Sequence, residues 1–330
     1  MNCNNNNCKK HVRNYNICET CSSIYCSSTC LNEHKRDAHG NSLINIVDNA
    51  IPRYSLSKSL FLKQGIYEKE IIDDPHFDFA NFEFVKSERK KSLGQGAFGE
   101  VYLATNKIDN KLYAIKVMEK EKIIESGASL DIIHREISIH RKINQENIVK
   151  VYSHFENEKF FYLIMEYVNG GSLFSIIKKN KGIDEKKAFK YFIQACSAVN
   201  FLHMNNLIHR DLKPENILIN DKEVVKLCDF GWCVDISNGN RVTFCGTYEY
   251  MAPEIVKELP YNFEIDVWSL GILLYELTHG YSPFRAEKED GEDYHEIFTN
   301  IIKYKFKIEK DLSKGCIDLI QSKDYLYFFL

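Results

Sequence analysis

The chain has 330 residues, of which 44% are hydrophobic, and a formal net charge of −3. That balance gives no electrostatic case for nucleic-acid binding, and no apolar run is long enough to span a membrane. Met1-Asn2-Cys3-Asn4 lacks signal-peptide character, so a protein of the cytoplasm and/or nucleus is expected, with neither membrane nor direct nucleic acid as a partner. Three parts follow in chain order. Residues 1–41 are rich in Cys and His. Residues 42–81 read as a linker, broken at Ile51-Pro52 and Asp74-Pro75, with a short helix predicted over Tyr54 to Ile72. Residues 82–330 carry sustained apolar periodicity.

The first part supplies metal-ligand side chains. Cys8, His11, Cys18, Cys21, Cys26, Cys30, His34 and His39 make eight potential ligands, enough for two tetrahedral Zn²⁺ sites. A segment this short has almost no core and needs metal to fold. The series, above all Cys18-Glu19-Thr20-Cys21 and Glu33-His34-Lys35, resembles a B-box zinc finger. That resemblance implies one ion on Cys8, His11, Cys26 and Cys30 and another on Cys18, Cys21, His34 and His39, with Cys3 as a substitute for Cys8. It also implies a role in protein interaction or self-association.

In the long third part, Phe82 to Lys91, Glu100 to Thr105, Lys111 to Met118 and Phe160 to Tyr167 are predicted strands. Leu130 to Ile143, Lys186 to Met204 and Glu264 to His279 are predicted helices. A strand-rich half followed by a helix-rich half is an α+β, two-lobed layout. Gly94, Gly96 and Gly99 fall between the first two strands, where glycine lets a backbone approach phosphates closely. Ala114-Ile115-Lys116 follows, then His209-Arg210-Asp211-Leu212-Lys213-Pro214-Glu215-Asn216, then Asp229-Phe230-Gly231 and Ala252-Pro253-Glu254. In that order they supply a phosphate cover, a phosphate-binding lysine, a base and two metal ligands, the parts that phosphoryl transfer from ATP needs.

From about Phe82 to Leu319 the chain therefore resembles a eukaryotic protein kinase. The resemblance implies a kinase fold using ATP and Mg²⁺. It assigns Lys116 to the α- and β-phosphates, Glu136 as the partner of Lys116, Asp211 as base and Lys213 as the neutraliser of developing charge. Asn216 and Asp229 would hold Mg²⁺. Val101, Ala114 and Leu218 would enclose the adenine, with Met165 as gatekeeper and Glu166-Tyr167-Val168 as the hinge. Glu215 is placed beside this nucleotide set and is also the expected partner of a substrate arginine. Lys213, two residues after the aspartate, marks the serine/threonine class.

Trp232 after Asp-Phe-Gly, the run Thr243-Phe244-Cys245-Gly246-Thr247, and His140 one turn after Glu136 are similar to Aurora kinases. That likeness implies phosphorylation of Thr243, with Arg210, Arg135 and Arg241 as candidate phosphate partners, and contact of Thr247 with Asp211 and Lys213. It places His140 in a column with Val151, Phe230 and His209. A polar member is expected to weaken that column, so full activity would need Thr243 phosphorylation or an activating partner. Arg241 before Thr243 and Phe244 after it suggest protein substrates with Arg before the acceptor and an apolar residue after it. The acidic run from Glu287 to Asp293 reads as a solvated loop. After Ile320 the family pattern continues with more helix and an arginine that pairs with Glu254. Gln321 to Leu330 matches none of this, so the C-terminal helices are expected to be incomplete and the end truncated. Two alternatives use the same residues: a basophilic kinase of another group, and a zinc-dependent scaffold with an impaired kinase fold.

Overall fold

The computed structural model describes residues 16–17, 24–25, 66–67, 74–85, 92–96, 99–237, 239, 241, 243, 245–286 and 294–321. Contacts divide the chain into one unit of residues 56–311 and another of residues 1–55 with 312–329. In the latter, β1 (Asn16–Ile17) pairs antiparallel with β2 (Ile24–Tyr25). The eight zinc candidates, Cys8, His11, Cys18, Cys21, Cys26, Cys30, His34 and His39, lie outside the described residues.

The larger unit begins with β3 (Ile66–Tyr67). The predicted helix over Tyr54 to Ile72 is therefore interrupted: a β-branched and an aromatic residue pair as a strand with β8 (Ile143–Asn144) instead. Two 3₁₀ turns follow, Pro75–Phe77 and Phe79–Asn81, each opened by an aspartate. Asp74 accepts the His76 N–H and Asp78 the Ala80 N–H, both at 2.9 Å. These turns lay Phe77 on Tyr152, ring centres 4.6 Å apart, and Phe79 on Tyr162 at 4.5 Å. The linker read over 42–81 thus ends inside the packed lobe.

The strand-rich lobe is a six-stranded sheet. It contains β4 (Phe82–Phe84), β5 (Gly94–Gly96), β6 (Gly99–Asn106), β7 (Leu112–Glu119), β9 (Val151–Glu156) and β10 (Phe160–Glu166). The order is β4-β6-β7-β10-β9, with β5 paired to β6, and every pairing is antiparallel. The predicted strand over Phe82 to Lys91 is shorter, ending at Phe84, and residues 86–91 lie outside the described residues. Strand β9 carried no prediction. One face of the sheet packs Phe82, Ala104, Tyr113, Ile115 and Ile164 against the aromatic turns. The other packs on α1 (Lys120–Glu125) and α2 (Leu130–Arg141) through Met118, Ile123, Ile133, Ile137 and Phe161. Ser129 caps α2 by accepting the Asp131 N–H. Ile133, Glu136, Ile137 and His140 recur at helical spacing, so Glu136 and His140 are carried onto the buried stripe.

The helical lobe contains α3 (Leu173–Asn180), α4 (Glu185–Met204), α5 (Pro253–Val256), α6 (Glu264–His279) and α7 (Tyr294–Lys303). Two small antiparallel pairs accompany these helices. Strand β11 (Leu207–Ile208) pairs with β14 (Val234–Asp235), and β12 (Ile217–Ile219) with β13 (Val225–Leu227). Helix α6 is largely apolar and mostly buried, and Asp266 in its first turn is buried completely. It stops at Gly280, whose φ of 92° only glycine takes without strain. The last helix among the described residues, α8 (Lys314–Gln321), belongs to the other unit. Among the described residues no helix is long and apolar enough to cross a membrane.

Candidate active site

Lys116 lies on the central strand β7 and is only 5% exposed. Its ammonium donates to Glu136 Oε1 at 3.0 Å and to Asp229 Oδ1 at 3.2 Å. Burial opposes the lysine charge, but the two carboxylates overcome it and hold its pKa above the ordinary value. Conversely, the Lys116 charge holds the Asp229 carboxyl below the usual carboxylate range, against the effect of burial. Glu136 is 2% exposed and its Oε2 has no hydrogen-bond partner, so Lys116 carries nearly all of its compensation.

The predicted glycine turn reaches this pair. A Cβ on Gly96 would sit 3.6 Å from Asp229 Oδ2 and 3.7 Å from Lys116 Cε. One on Gly99 would fall 2.1 Å from the Val117 carbonyl oxygen, so the close approach of β6 to β7 excludes any side chain there. Gly94 has open space around its Cβ position.

A second set of contacts surrounds Asp211. Asn216 Nδ2 donates to Asp211 Oδ2 at 2.9 Å, and Thr247 Oγ1 donates to Asp211 Oδ1 at 3.0 Å. Lys213 Nζ donates to Thr247 Oγ1 at 2.8 Å and stands 3.0 Å from Asp211 Oδ2. The β12–β13 hairpin joins the two sets: the Cys228 N–H donates to the Asn216 carbonyl at 2.9 Å, which puts Asn216 beside Asp229. Lys116, Asp211, Asn216 and Asp229 are thereby brought to one cleft. Asn216 and Asp229 offer hard oxygen donors, the type Mg²⁺ takes when phosphates complete its shell. With Asp229 ionised and the Gly96 backbone close above, the residues present fit a magnesium nucleotide.

An apolar wall lies beside these groups. Ala114, Met165 and Val168 are buried in one cluster, with Val101 and Leu218 packed against it. At the hinge, the Glu166 N–H donates to the Lys150 carbonyl at 2.8 Å, and its carboxylate accepts from Lys226 at 2.8 Å. Glu215 stands apart from this wall. It is exposed, and its charge helps raise the pKa of the Glu276 carboxyl.

The polar column is better satisfied than expected. The His140 ring stacks on Phe230 at 4.1 Å, and His140 Nε2 lies 2.7 Å from the Val149 carbonyl, which it serves as donor. Burial pushes the His140 pKa down to about 3, so the ring is neutral and packs without the cost of a buried charge. Phe230, His209 and Val151 are buried beside it. Thr247 reaches Asp211 and Lys213 as expected. Arg210, named as a phosphate partner, donates to the Trp232 carbonyl at 2.6 Å and to the Tyr261 hydroxyl at 3.0 Å. Thr243 and Arg135 are exposed, and the Glu287–Asp293 run lies outside the described residues.

Sequence reading missed Asp266. It is completely buried and accepts three donors. Its Oδ2 takes the His209 N–H at 2.8 Å and His203 Nε2 at 2.9 Å, and its Oδ1 takes the Arg210 N–H at 2.9 Å. Arg210 has a φ of 70°, a strained value for a non-glycine residue. Asp266 therefore anchors the bend that presents Asp211. The available signal was weak: Asp266 is one of three carboxylates in a largely apolar helix, and only its burial, which the sequence does not show, demands donors.

Comparison with known proteins agrees with this geometry. Residues 87–323 match the protein kinase domain family. The chain is 37% identical over 243 residues to an Aurora kinase of Yarrowia lipolytica, covering 74% of this chain and 64% of that protein. It is 38% identical over 230 residues to Aurora kinase B of Drosophila melanogaster, covering 69% and 68%. It is 33% identical over 290 residues to an Aurora kinase of Candida glabrata, covering 88% and 75%. The chain spans a little under two thirds of the length of the Yarrowia protein. Among the described residues no group of three or more His, Cys, Asp or Glu side chains is placed to hold a metal ion. A match over most of the chain, centred on the cleft that holds Lys116, Asp211, Asn216 and Asp229, establishes that this chain belongs to the protein kinase family and is similar to its Aurora members.

Proposed function

We propose that this chain is an Aurora-like, Mg-ATP-dependent serine/threonine protein kinase acting on protein substrates with arginine before the acceptor. The observation that carries the reading is the Lys116–Glu136–Asp229 contact, made beside an Asp211 carboxylate whose two oxygens are both held. Magnesium ATP, when bound, supplies the phosphoryl group to be transferred. Lys116 orients the phosphates, and Glu136 keeps that lysine aimed into the cleft. Asp211 accepts the proton of the substrate hydroxyl, and Asn216 and Thr247 fix its orientation. Lys213 neutralises charge on the transferred group, and Asn216 and Asp229 present oxygens to the metal.

The peptide side is acidic. Burial, with Glu215 and Glu249 adding to it, raises the Glu276 carboxyl to about 7, while the Tyr250 hydroxyl donates to it at 2.5 Å. An arriving guanidinium would ionise Glu276 and bridge it to exposed Glu215, which supports the arginine preference. Thr243 is the proposed activating phosphosite, supported by its exposure and its arginine context. An activating protein partner and a cytoplasmic or nuclear location complete the reading.

The direct test is incorporation of phosphate into a basic peptide by wild type and by Asp229→Asn. We expect the variant to be slower by about 10²–10³-fold, the scale of losing one preorganised charge at a reacting centre. Equal incorporation would overturn the mechanism. The amino-terminal part is proposed as a B-box-like module for interaction or self-association, with zinc on the ligands named above; ligand count and spacing support it. Metal analysis should return two zinc ions per chain and none for protein lacking residues 1–41.

A further inference from the structure

Tyr261 lies in the turn between α5 and α6, and no sequence motif singled it out. It is 1% exposed, and its ring packs with Ile208, Val234, Met251, Ile255 and Ile265. Its backbone exchanges two hydrogen bonds with Arg241, at 3.0 and 2.9 Å. Its hydroxyl accepts from Arg210 Nη1 at 3.0 Å and donates to the Thr243 carbonyl at 2.9 Å. Arg210 also donates through Nε to the Trp232 carbonyl at 2.6 Å. One phenol thus joins the loop that carries Asp211 to the segment that carries Thr243, and Arg210 extends the link to the residue following Asp-Phe-Gly.

The arrangement has a consequence for Thr243. Its main chain is tied down while its side chain is exposed. Arg210 meanwhile has a partner in the absence of any phosphate. A buried phenol with both hydrogen-bonding roles used is held firmly, because breaking either bond leaves a buried polar group unsatisfied.

We propose that Tyr261 is a positioning residue whose hydroxyl holds Arg210 and the Thr243 segment in the competent arrangement before Thr243 is phosphorylated. The inference rests on the kinase reading and on Thr243 as phosphosite. A phosphate on Thr243 would take over the guanidinium and make the phenol dispensable.

Tyr261→Phe keeps the ring and the backbone pairing and removes only the hydroxyl. In a Thr243→Ala background, which is never phosphorylated at that position, this change should lower kcat/KM for a basic peptide about tenfold, the scale of losing one or two buried hydrogen bonds. In protein phosphorylated on Thr243 the loss should be about twofold or less. Trypsin should cut after Arg241 faster in unphosphorylated Tyr261→Phe than in wild type, a readout that needs no activity. The proposal is overturned by an equal loss in both phosphorylation states, which marks a merely structural role. It is also overturned by no loss in the Thr243→Ala background, or by unchanged cleavage. Failure of the Thr243 reading shows separately, as equal activity of Thr243→Ala and of wild type preincubated with MgATP.

Discussion

Lys116→Met should abolish phosphoryl transfer and destabilise the fold at once, and a second substitution should separate the two effects. Removing the ammonium leaves Glu136, 2% exposed, with an uncompensated carboxylate and takes from Asp229 the charge that keeps it ionised. Breaking a buried pair from one side costs about 3–5 kcal/mol. Peptide phosphorylation should fall by at least about 10³-fold, the upper range for losing one charge aimed at a reacting group. In Lys116→Met/Glu136→Leu the orphaned carboxylate is gone, so most of the lost stability should return in urea unfolding, while activity stays absent. Equal instability of the single and double variants would mean that the cost is lost packing rather than lost compensation. Activity in either variant would remove Lys116 from the mechanism.

The parts of the site legible in the sequence are those whose chemistry fixes residue type and local spacing. Lys116, Asp211, Asn216 and Asp229 are far apart along the chain, but each sits in a short motif that announces its role. Gly99 was legible as a glycine requirement, and the Val117 carbonyl adds a reason for it that only the fold shows. Long strands and helices followed their periodicity, and their ends moved by a few residues because caps and bulges decide them. Residues that act through tertiary contact were hidden. Asp266, Tyr261 and Glu276 lie in or before α6, where nothing local shows that their partners are His209 and Arg210, the carbonyl of Thr243, and Tyr250. Phe77 and Phe79 read as linker because only the folded sheet supplies Tyr152 and Tyr162 to receive them. The sequence shows the polarity of His140 but not the Val149 carbonyl that accepts from it, so an expected weak point is a satisfied contact in the fold.

Asp266 should be the most costly substitution that touches neither nucleotide nor peptide. Its two oxygens serve three N–H donors, and two of those donors belong to His209 and to the strained Arg210. In Asp266→Ala all three are buried without their acceptor, which should cost about 3–5 kcal/mol in denaturant unfolding. Asp266→Asn keeps the shape but replaces one acceptor oxygen with a donor, so a cost of about 2 kcal/mol is expected. In both variants Arg210 is free to leave its φ of 70°, and Asp211 moves with it. A displacement of even about 1 Å at a reacting group lowers the rate about 10²-fold, so kcat should fall more than KM rises. The pH dependence carries the charge argument. Burial works to raise the Asp266 carboxyl pKa, but the His203 donor and the nearby His209 outweigh it and hold it below the ordinary value. A group depressed in the folded state contributes its full stability above the unfolded pKa of about 4 and loses it as pH falls toward the folded value. The stability gap between wild type and Asp266→Asn should therefore be constant from about pH 7 to about pH 5 and narrow below about pH 4. A gap that stays unchanged into acid would show that shape, and not the carboxylate charge, anchors the catalytic loop.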